Sequence, residues 1–166
     1  MEIKEKIIGI VALCADYCRT LETSGDYTLE EFTGKILNLL PRIFIAFREV
    51  SPDETLLLEE GEYFESYVDE DFYESIRRNL ESLFGPDDTF LETFEENMKY
   101  SDTPIAASIS ECLADIFQPL FNFVSIVRDT EGEKLQEAYR ECRDEFDSYW
   151  SQTLCNVLRA LNFLIK

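Results

Sequence analysis

Hydrophobic residues recur at intervals of three and four along most of the 166-residue chain, which places them on one face of an α-helix. This pattern predicts four long helices, near residues 2–22, 28–48, 105–128 and 133–164. Glycine and proline are scarce, which disfavours a turn-rich β architecture. The sequence therefore predicts an all-α, single-domain bundle over residues 1–166, with five to seven mainly antiparallel helices and no sheet.

The middle segment, residues 51–104, has a weaker helical pattern than the rest. A helix is predicted from Asp69 to Gly85, because Asp is a favoured N-cap and Gly a favoured helix terminator. A further helix is predicted near 89–99. The stretch before Asp69 is compatible with a short helix or with an irregular connection. We expect the whole segment to pack across a core formed by the four long helices.

The helix predicted near 105–128 is mostly apolar, but polar residues form a band about 100° wide along one side of it. The band consists of Ser108, Glu111, Asp115, Gln118, Asn122 and Ser125. It is either a solvated edge of a buried helix, or a closed site in which Glu111 and Asp115 face other acids. If the edge is solvated, replacing both acids by amides should change stability by less than about 1 kcal/mol.

The last predicted helix, near 133–164, has a continuous apolar stripe. Spacings of three and four connect Leu135, Tyr139, Cys142, Phe146, Tyr149, Thr153, Val157, Ala160 and Leu164. Such a stripe indicates packing against neighbouring helices along its whole length. Trp150 is predicted to anchor this packing.

Negative charge is concentrated in the middle of the chain. The protein has 35 acidic and 15 basic residues, a formal net charge of −20. Residues 51–104 hold 17 acids against 3 bases, a net of −14. This charge opposes binding to nucleic-acid phosphates and anionic membranes and favours basic partners. The predicted partner-binding acidic surface consists of Glu59, Glu60, Glu62, Glu65, Asp69, Glu70 and Asp71.

Several classes of chemistry are excluded by composition. The chain has no histidine, so Ser-His-Asp and Cys-His nucleophile pairs are impossible. An odd number of cysteines does not suggest a disulfide framework, and all five are expected to be reduced and at least partly buried. The start of the chain lacks the features of a signal peptide, and no run is long enough for a membrane span, so we expect a cytosolic protein.

Carboxylates are the remaining candidates for chemistry. Glu111 and Asp115 are four residues apart on one helix, a spacing that resembles the Mg²⁺-binding acids of all-helical nucleotide pyrophosphatases. The acids that could face this pair are Glu141, Asp144 and Glu145. The pair departs from the ExxE…ExxD pattern of those enzymes. A hydrolase dependent on Mg²⁺ or Mn²⁺ is therefore one alternative, and no cofactor is expected otherwise.

Two stretches, "YSDTPIAASISECLADIFQPL" and "EAYRECRDEFDSYWSQTLCNVLRAL", resemble an uncharacterised bacterial family of small acidic helical proteins, a domain of unknown function. The resemblance covers most of the chain, most clearly from about residue 60 onward. It implies an all-α fold and a bacterial cytoplasmic location. It supplies no catalytic or binding residue.

Three functions are compatible with these observations. The sequence favours a non-catalytic cytosolic interaction protein, whose acidic surface binds a basic protein partner rather than nucleic acid or a membrane. The alternatives are the carboxylate–metal hydrolase and a DNA mimic, whose carboxylates would imitate phosphate spacing. The sequence leaves the oligomeric state and the identity of any partner open.

Overall fold

The computed structural model describes residues 2–53, 55, 63–92 and 105–165. Its α-helices within these residues are α1 Ile3–Glu22, α2 Leu29–Glu49, α3 Glu70–Phe84, α4 Ile109–Asp129, α5 Leu135–Glu145 and α6 Ser151–Leu164. A five-residue π-helix, Phe146–Trp150, joins α5 to α6 and makes them one continuous helical run. The predicted all-α class and the helices near 2–22, 28–48 and 133–164 are confirmed.

The helical bundle also contains a small antiparallel sheet, so only the expectation of no sheet is wrong. Strand β1, Thr89–Leu91, pairs with strand β2, Ala106–Ser108. The sheet depends on a long-range contact, because the buried Asp88 accepts hydrogen bonds of 2.7 Å from both the backbone N–H and the hydroxyl of Ser110. This contact holds the start of β1 against the start of α4, where β2 ends.

Two predicted helix boundaries change for the same reason. The helix predicted near 89–99 is wrong at its start, because Thr89–Leu91 is a strand; residues 93–99 lie outside the described residues. The helix predicted near 105–128 begins at Ile109, after the second strand. Helical periodicity is a local signal, so it cannot predict that two distant segments pair as strands.

The central helix of the bundle is α4, which contacts α1, α3, α5 and α6. On the α1 side, the buried Tyr17 hydroxyl donates a 2.8 Å hydrogen bond to the carbonyl of Leu113. At the end of α2, the Tyr139 hydroxyl and the Arg143 guanidinium both donate to the carbonyl of Val50. From the acidic middle segment, α3 packs against α4 and α1. The helix from the acidic middle segment, α3, therefore packs on one side of α4.

The cysteines divide into a buried group and one exposed residue, and all are free thiols. The buried group is Cys14, Cys18, Cys112 and Cys142. The prediction of partial burial is wrong for Cys155, which lies on the outward side of α6 next to the buried Leu154. In the described part of the chain, no helix combines the length and the apolar character that crossing a membrane requires.

Candidate functional site

The π-helix between α5 and α6 shapes one side of the candidate site. Trp150 is completely buried there, and its ring lies 4.9 Å from that of Phe47, edge to face. Its indole N–H donates to the carbonyl of Cys142 at 3.3 Å, which confirms the predicted anchor. A π-turn contains an extra residue, which changes the direction of the side chains after it. Tyr149, predicted within the apolar stripe, is consequently 54 % exposed.

A cleft of about 610 Å³ lies between the sheet, the first turns of α4 and the start of α6. Its charged lining residues are Glu92, Glu111 and Asp115, and no Lys or Arg is among the described residues that line it. Hydroxyl and amide groups add to the polar lining, from Ser108, Ser148, Tyr149, Gln152, Thr153 and Asn156. The cleft is therefore an acidic cavity with many hydrogen-bonding groups.

Asp115 connects three elements at the edge of this cleft. Its Oδ1 accepts a 2.6 Å hydrogen bond from the Tyr73 hydroxyl of α3, and its Oδ2 accepts a 2.9 Å bond from the Tyr149 hydroxyl of the π-helix. Desolvation and the Asp115 carboxylate raise the pKa of Tyr149 to about 12. The same causes raise the pKa of Tyr73 well above its usual range. Both phenols therefore remain protonated donors near neutral pH.

The opposite wall is formed by the end of β1 and by α6. Asn156 is only 4 % exposed, and its amide donates a 2.6 Å hydrogen bond to Glu92 Oε1. The adjacent thiol of Cys112 is buried, and desolvation, followed by the nearby carboxylates of Glu92, Asp115 and Glu111, raises its pKa far above the ordinary value. Since the thiolate is the nucleophilic form, this cysteine is held in its unreactive state.

Polar side chains in the band of α4 form hydrogen bonds with neighbouring segments of the chain. Ser108 caps the helix by accepting from the Glu111 N–H at 3.0 Å. The Asn122 side chain accepts a 2.7 Å hydrogen bond from the backbone N–H of Tyr67, and Ser125 is buried. Together with the bonds of Asp115, these contacts show that neither a fully solvated edge nor a closed carboxylate pair describes the band. Two of its polar side chains, those of Asp115 and Asn122, attach the acidic middle segment to α4.

The predicted metal ligands are only partly brought together. Glu111 and Asp115 line the cleft, whereas the acids from the last helix, Glu141, Asp144 and Glu145, do not line it. Among the residues that the structure describes, no group of three or more Cys, Asp or Glu residues could hold a metal ion. A hydrolase dependent on Mg²⁺ or Mn²⁺ therefore stays a prediction, and the described residues do not form a metal site that would support it.

Glu141 and Glu145 lie one helical turn apart and have raised pKa values. Desolvation is the main cause for each of them, followed by repulsion from Asp144 at Glu141 and from Glu141 at Glu145. A carboxyl group with a higher pKa in the folded protein binds protons more readily there than in the unfolded chain. Its ionisation as the pH rises through that pKa therefore reduces stability.

We expect Glu141→Gln to increase the free energy of unfolding near neutral pH by less than about 1 kcal/mol, because the group is largely screened by solvent. This gain in the free energy of unfolding should disappear as the pH falls from the raised pKa of Glu141 towards the usual value of 4.5. Over that range the wild-type carboxyl becomes protonated, and it is then as neutral as the Gln side chain of the variant. Urea denaturation of both proteins across this range measures the difference. A gain that stays constant with pH would contradict the assignment.

The acidic surface predicted from the sequence is partly described. Its described members, all exposed, are Glu65, Asp69, Glu70 and Asp71, and these four are called the acidic surface below. The other predicted members, Glu59, Glu60 and Glu62, lie outside the described residues. No Lys or Arg in the described chain forms an ion pair with the acidic surface. Asp69 also caps α3, as predicted, by accepting from the Phe72 N–H at 2.8 Å.

Sequence reasoning missed the residues that complete the cleft. Tyr73 and Tyr149 contact Asp115 across 42 and 34 positions of the chain, and Asn156 contacts Glu92 across 64 positions. No spacing rule within one helix detects contacts between such distant positions. The only usable signal was the polar band itself, which identified Asp115 without its partners.

Comparison with known proteins agrees with the resemblance stated from the sequence. The family described as "Domain of unknown function (DUF5063)" matches residues 1–166. The crystal structure of protein BF1032 from Bacteroides fragilis is similar to this chain, with a TM-score of 0.82 and 26 % sequence identity, over 97 % of this chain and 92 % of that chain. No curated protein matches. Since the family match spans the whole length, the chain belongs to the DUF5063 family, a domain of unknown function.

Proposed function

We propose that the protein is a cytosolic, non-catalytic interaction protein that binds a basic segment of a partner protein through the acidic surface. The observation that carries this proposal is the exposure of four carboxylates within residues 65–71, without a cationic partner in the described chain. Like charges held together on a surface repel one another. A basic partner relieves this repulsion and is attracted over a long range.

The remainder of α3 supports the proposal by contrast. There, Arg77 pairs with Glu74 at 3.1 Å and with Glu81 at 2.5 Å, so charges are balanced within the helix. At the first turn of α3, by contrast, the acids are compatible with the positive end of the helix dipole. The helix dipole therefore stabilises these acids, although no Lys or Arg of the described chain pairs with them.

An aromatic residue beside the acidic surface adds a second kind of contact. Tyr63 is 72 % exposed and precedes Glu65 by two residues. Tyrosine is enriched at protein interfaces, where its ring contributes apolar area and its hydroxyl a hydrogen bond. A partner that combines basic and apolar side chains would match this surface better than a purely cationic polymer.

The chemistry of the cleft favours binding over catalysis. The raised pKa values of Tyr73, Tyr149 and Cys112 keep the hydroxyls and the thiol protonated near neutral pH. Protonated groups are poor nucleophiles and poor general bases. These two hydroxyls and the thiol are therefore better suited to donate hydrogen bonds to a ligand than to act as nucleophiles or general bases.

The test compares two variants with the same change in net charge. Glu65→Gln, Glu70→Gln and Asp71→Asn together neutralise most of the acidic surface but keep the Asp69 cap. The matched control replaces three exposed acids elsewhere by Gln, at Glu30, Glu49 and Glu133. The probe is a fluorescent peptide rich in Lys, Arg and Tyr, and its affinity is measured by anisotropy at low and high salt.

We expect the surface variant to bind the peptide about tenfold more weakly than wild type, and the control variant within about twofold. The difference should shrink at high salt, because exposed charges are screened. Equal losses in both variants would overturn the proposal, since total charge rather than this surface would then govern binding. Failure of the wild-type protein to bind the peptide at low salt would overturn it too.

A further inference from the structure

We propose that the cleft between the sheet, α4 and α6 is a binding site for an organic cation, an alkyl chain that ends in an ammonium or guanidinium group. Its volume of about 610 Å³ lies within the range of about 300–1,000 Å³ typical of small-ligand pockets. The site is separate in its residues from the acidic surface. It adds a ligand to the proposed function and does not depend on it.

The walls of the cleft are fixed by contacts that do not involve a ligand. Asp115 is held by the hydroxyls of Tyr73 and Tyr149, which come from two different elements. On the opposite wall, the amide of the buried Asn156 holds the carboxylate of Glu92. A site whose acceptors are already positioned loses less conformational freedom on binding. The cavity is therefore preorganised and is more than a set of neighbouring acids on a surface.

The lining selects the charge of the ligand. Carboxylates from the end of β1 and from the first turns of α4 face one cavity, and the described lining contains no Lys or Arg. An anion would be repelled from this cavity, and a neutral molecule would gain no ionic interaction. Glu111 is exposed and its carboxylate, four residues from Asp115 on α4, is available to a cationic group.

The lining also selects the shape of the ligand. Ala106 and Ala107 contribute methyl groups, and Tyr149 contributes an exposed aromatic ring. Methyl groups suit an alkyl chain, and the face of a tyrosine ring attracts ammonium and guanidinium groups. An alkylammonium or alkylguanidinium ion uses both parts of the lining. The same chemistry occurs in free diamines and in the side chains of Lys and Arg, and the experiment separates these two sources.

Isothermal titration with defined probes tests the site. Butane-1,4-diamine and agmatine represent free cations, and lysine blocked at both ends represents a side chain of a protein. Butan-1-ol and butyrate are the neutral and anionic controls. Glu111→Gln removes one carboxylate, with Glu133→Gln as its control. Gln152→Trp fills the cavity without changing its charge, and Asn162→Trp places the same side chain on α6 outside the cleft.

We expect a cationic probe to bind wild type and both control variants, about tenfold more weakly to Glu111→Gln, and not measurably to Gln152→Trp. Tighter binding of blocked lysine than of the diamine would assign the site to a protein side chain, and the reverse order to a free cation. Butan-1-ol binding as tightly as the amines, or full affinity in Gln152→Trp, would overturn the proposal. So would the lack of any binding to wild type at about 10 mM probe.

The outcome is distinguishable from that of the peptide experiment. The variant with a neutralised acidic surface keeps every residue that lines the cleft, so its affinity for the cationic probes should stay within about twofold of wild type. A loss of diamine binding in that variant would show that general charge, and not the cleft, attracts the cation.

Discussion

Trp150→Ala should lower the free energy of unfolding by about 3–5 kcal/mol, the usual cost of removing a large buried aromatic side chain. The Trp150 ring is completely buried and contacts Phe47 and Phe146 at centroid distances of 4.9 and 4.7 Å. Alanine would leave a cavity between α2 and the π-helix. The carbonyl of Cys142 would also lose the hydrogen bond from the indole.

Two further variants separate the contributions at this turn. Trp150→Phe keeps most of the apolar volume but loses the indole N–H, and should cost about 1–3 kcal/mol. Tyr149→Ala changes an exposed neighbour and should cost less than Trp150→Ala. Urea denaturation followed by far-ultraviolet circular dichroism measures the stability of all three variants. Tryptophan fluorescence is unsuitable, because Trp150 is the single tryptophan of the protein and two of the variants lack it. A cost below about 1 kcal/mol for Trp150→Ala would contradict the anchoring role.

Asp115→Ala should lower the free energy of unfolding by about 2–3 kcal/mol. The change removes the charged acceptor of two hydrogen bonds and leaves the Tyr73 hydroxyl, in its half-buried position, without that partner. Hydrogen bonds to charged groups contribute about 1.5–3 kcal/mol each, and the bond from the exposed Tyr149 less than that from Tyr73.

Glu111 provides the matched control on the same helix. It also lines the cleft, but it is exposed, so Glu111→Gln should change stability by less than about 0.5 kcal/mol. In a double-mutant cycle, Tyr73→Phe combined with Asp115→Ala should cost clearly less than the sum of the single changes. Additive costs, or equal costs for the changes at Asp115 and Glu111, would contradict the role of Asp115 as the contact between α3 and α4.

The helices were predictable because their signals are local. In α2, the Thr28 hydroxyl accepts from the Glu31 N–H at 3.2 Å and the Glu31 carboxylate accepts from the Thr28 N–H at 3.0 Å. This is a capping box, whose two residues stand only three positions apart in the sequence. The apolar stripes likewise identified the buried faces of the long helices. Each of these signals lies within a few residues of the structure that it predicts.

The sheet and the cleft were not predictable because they depend on contacts between distant positions. Asp88 forms hydrogen bonds with Ser110, 22 positions further along the chain. Next to this contact, Thr89–Leu91 forms a strand where the sequence predicted a helix. The π-helix changes the register of the last helix, so Tyr149 leaves the apolar stripe and reaches Asp115. An ideal helical repeat applied to the sequence places that side chain in the core instead.

The acidic segments also differ in a way that composition does not show. Between α5 and the π-helix, Arg143 contacts Asp147 at 3.2 Å, so part of the acidic charge there is balanced locally. At residues 65–71 the exposed acids lack such a partner in the described chain. The structure thereby distinguishes two stretches that are both rich in Asp and Glu.

The most direct measurement of the central claim is an NMR titration of the ¹⁵N-labelled protein with the peptide rich in Lys, Arg and Tyr. If the acidic surface binds the basic partner, the largest changes in amide chemical shift should occur within residues 63–73 and should be lost at high salt. The acids around Glu141 and Asp144 serve as the internal control, with small changes. The largest changes at α5, or equal changes at every acidic stretch, would contradict the proposed function.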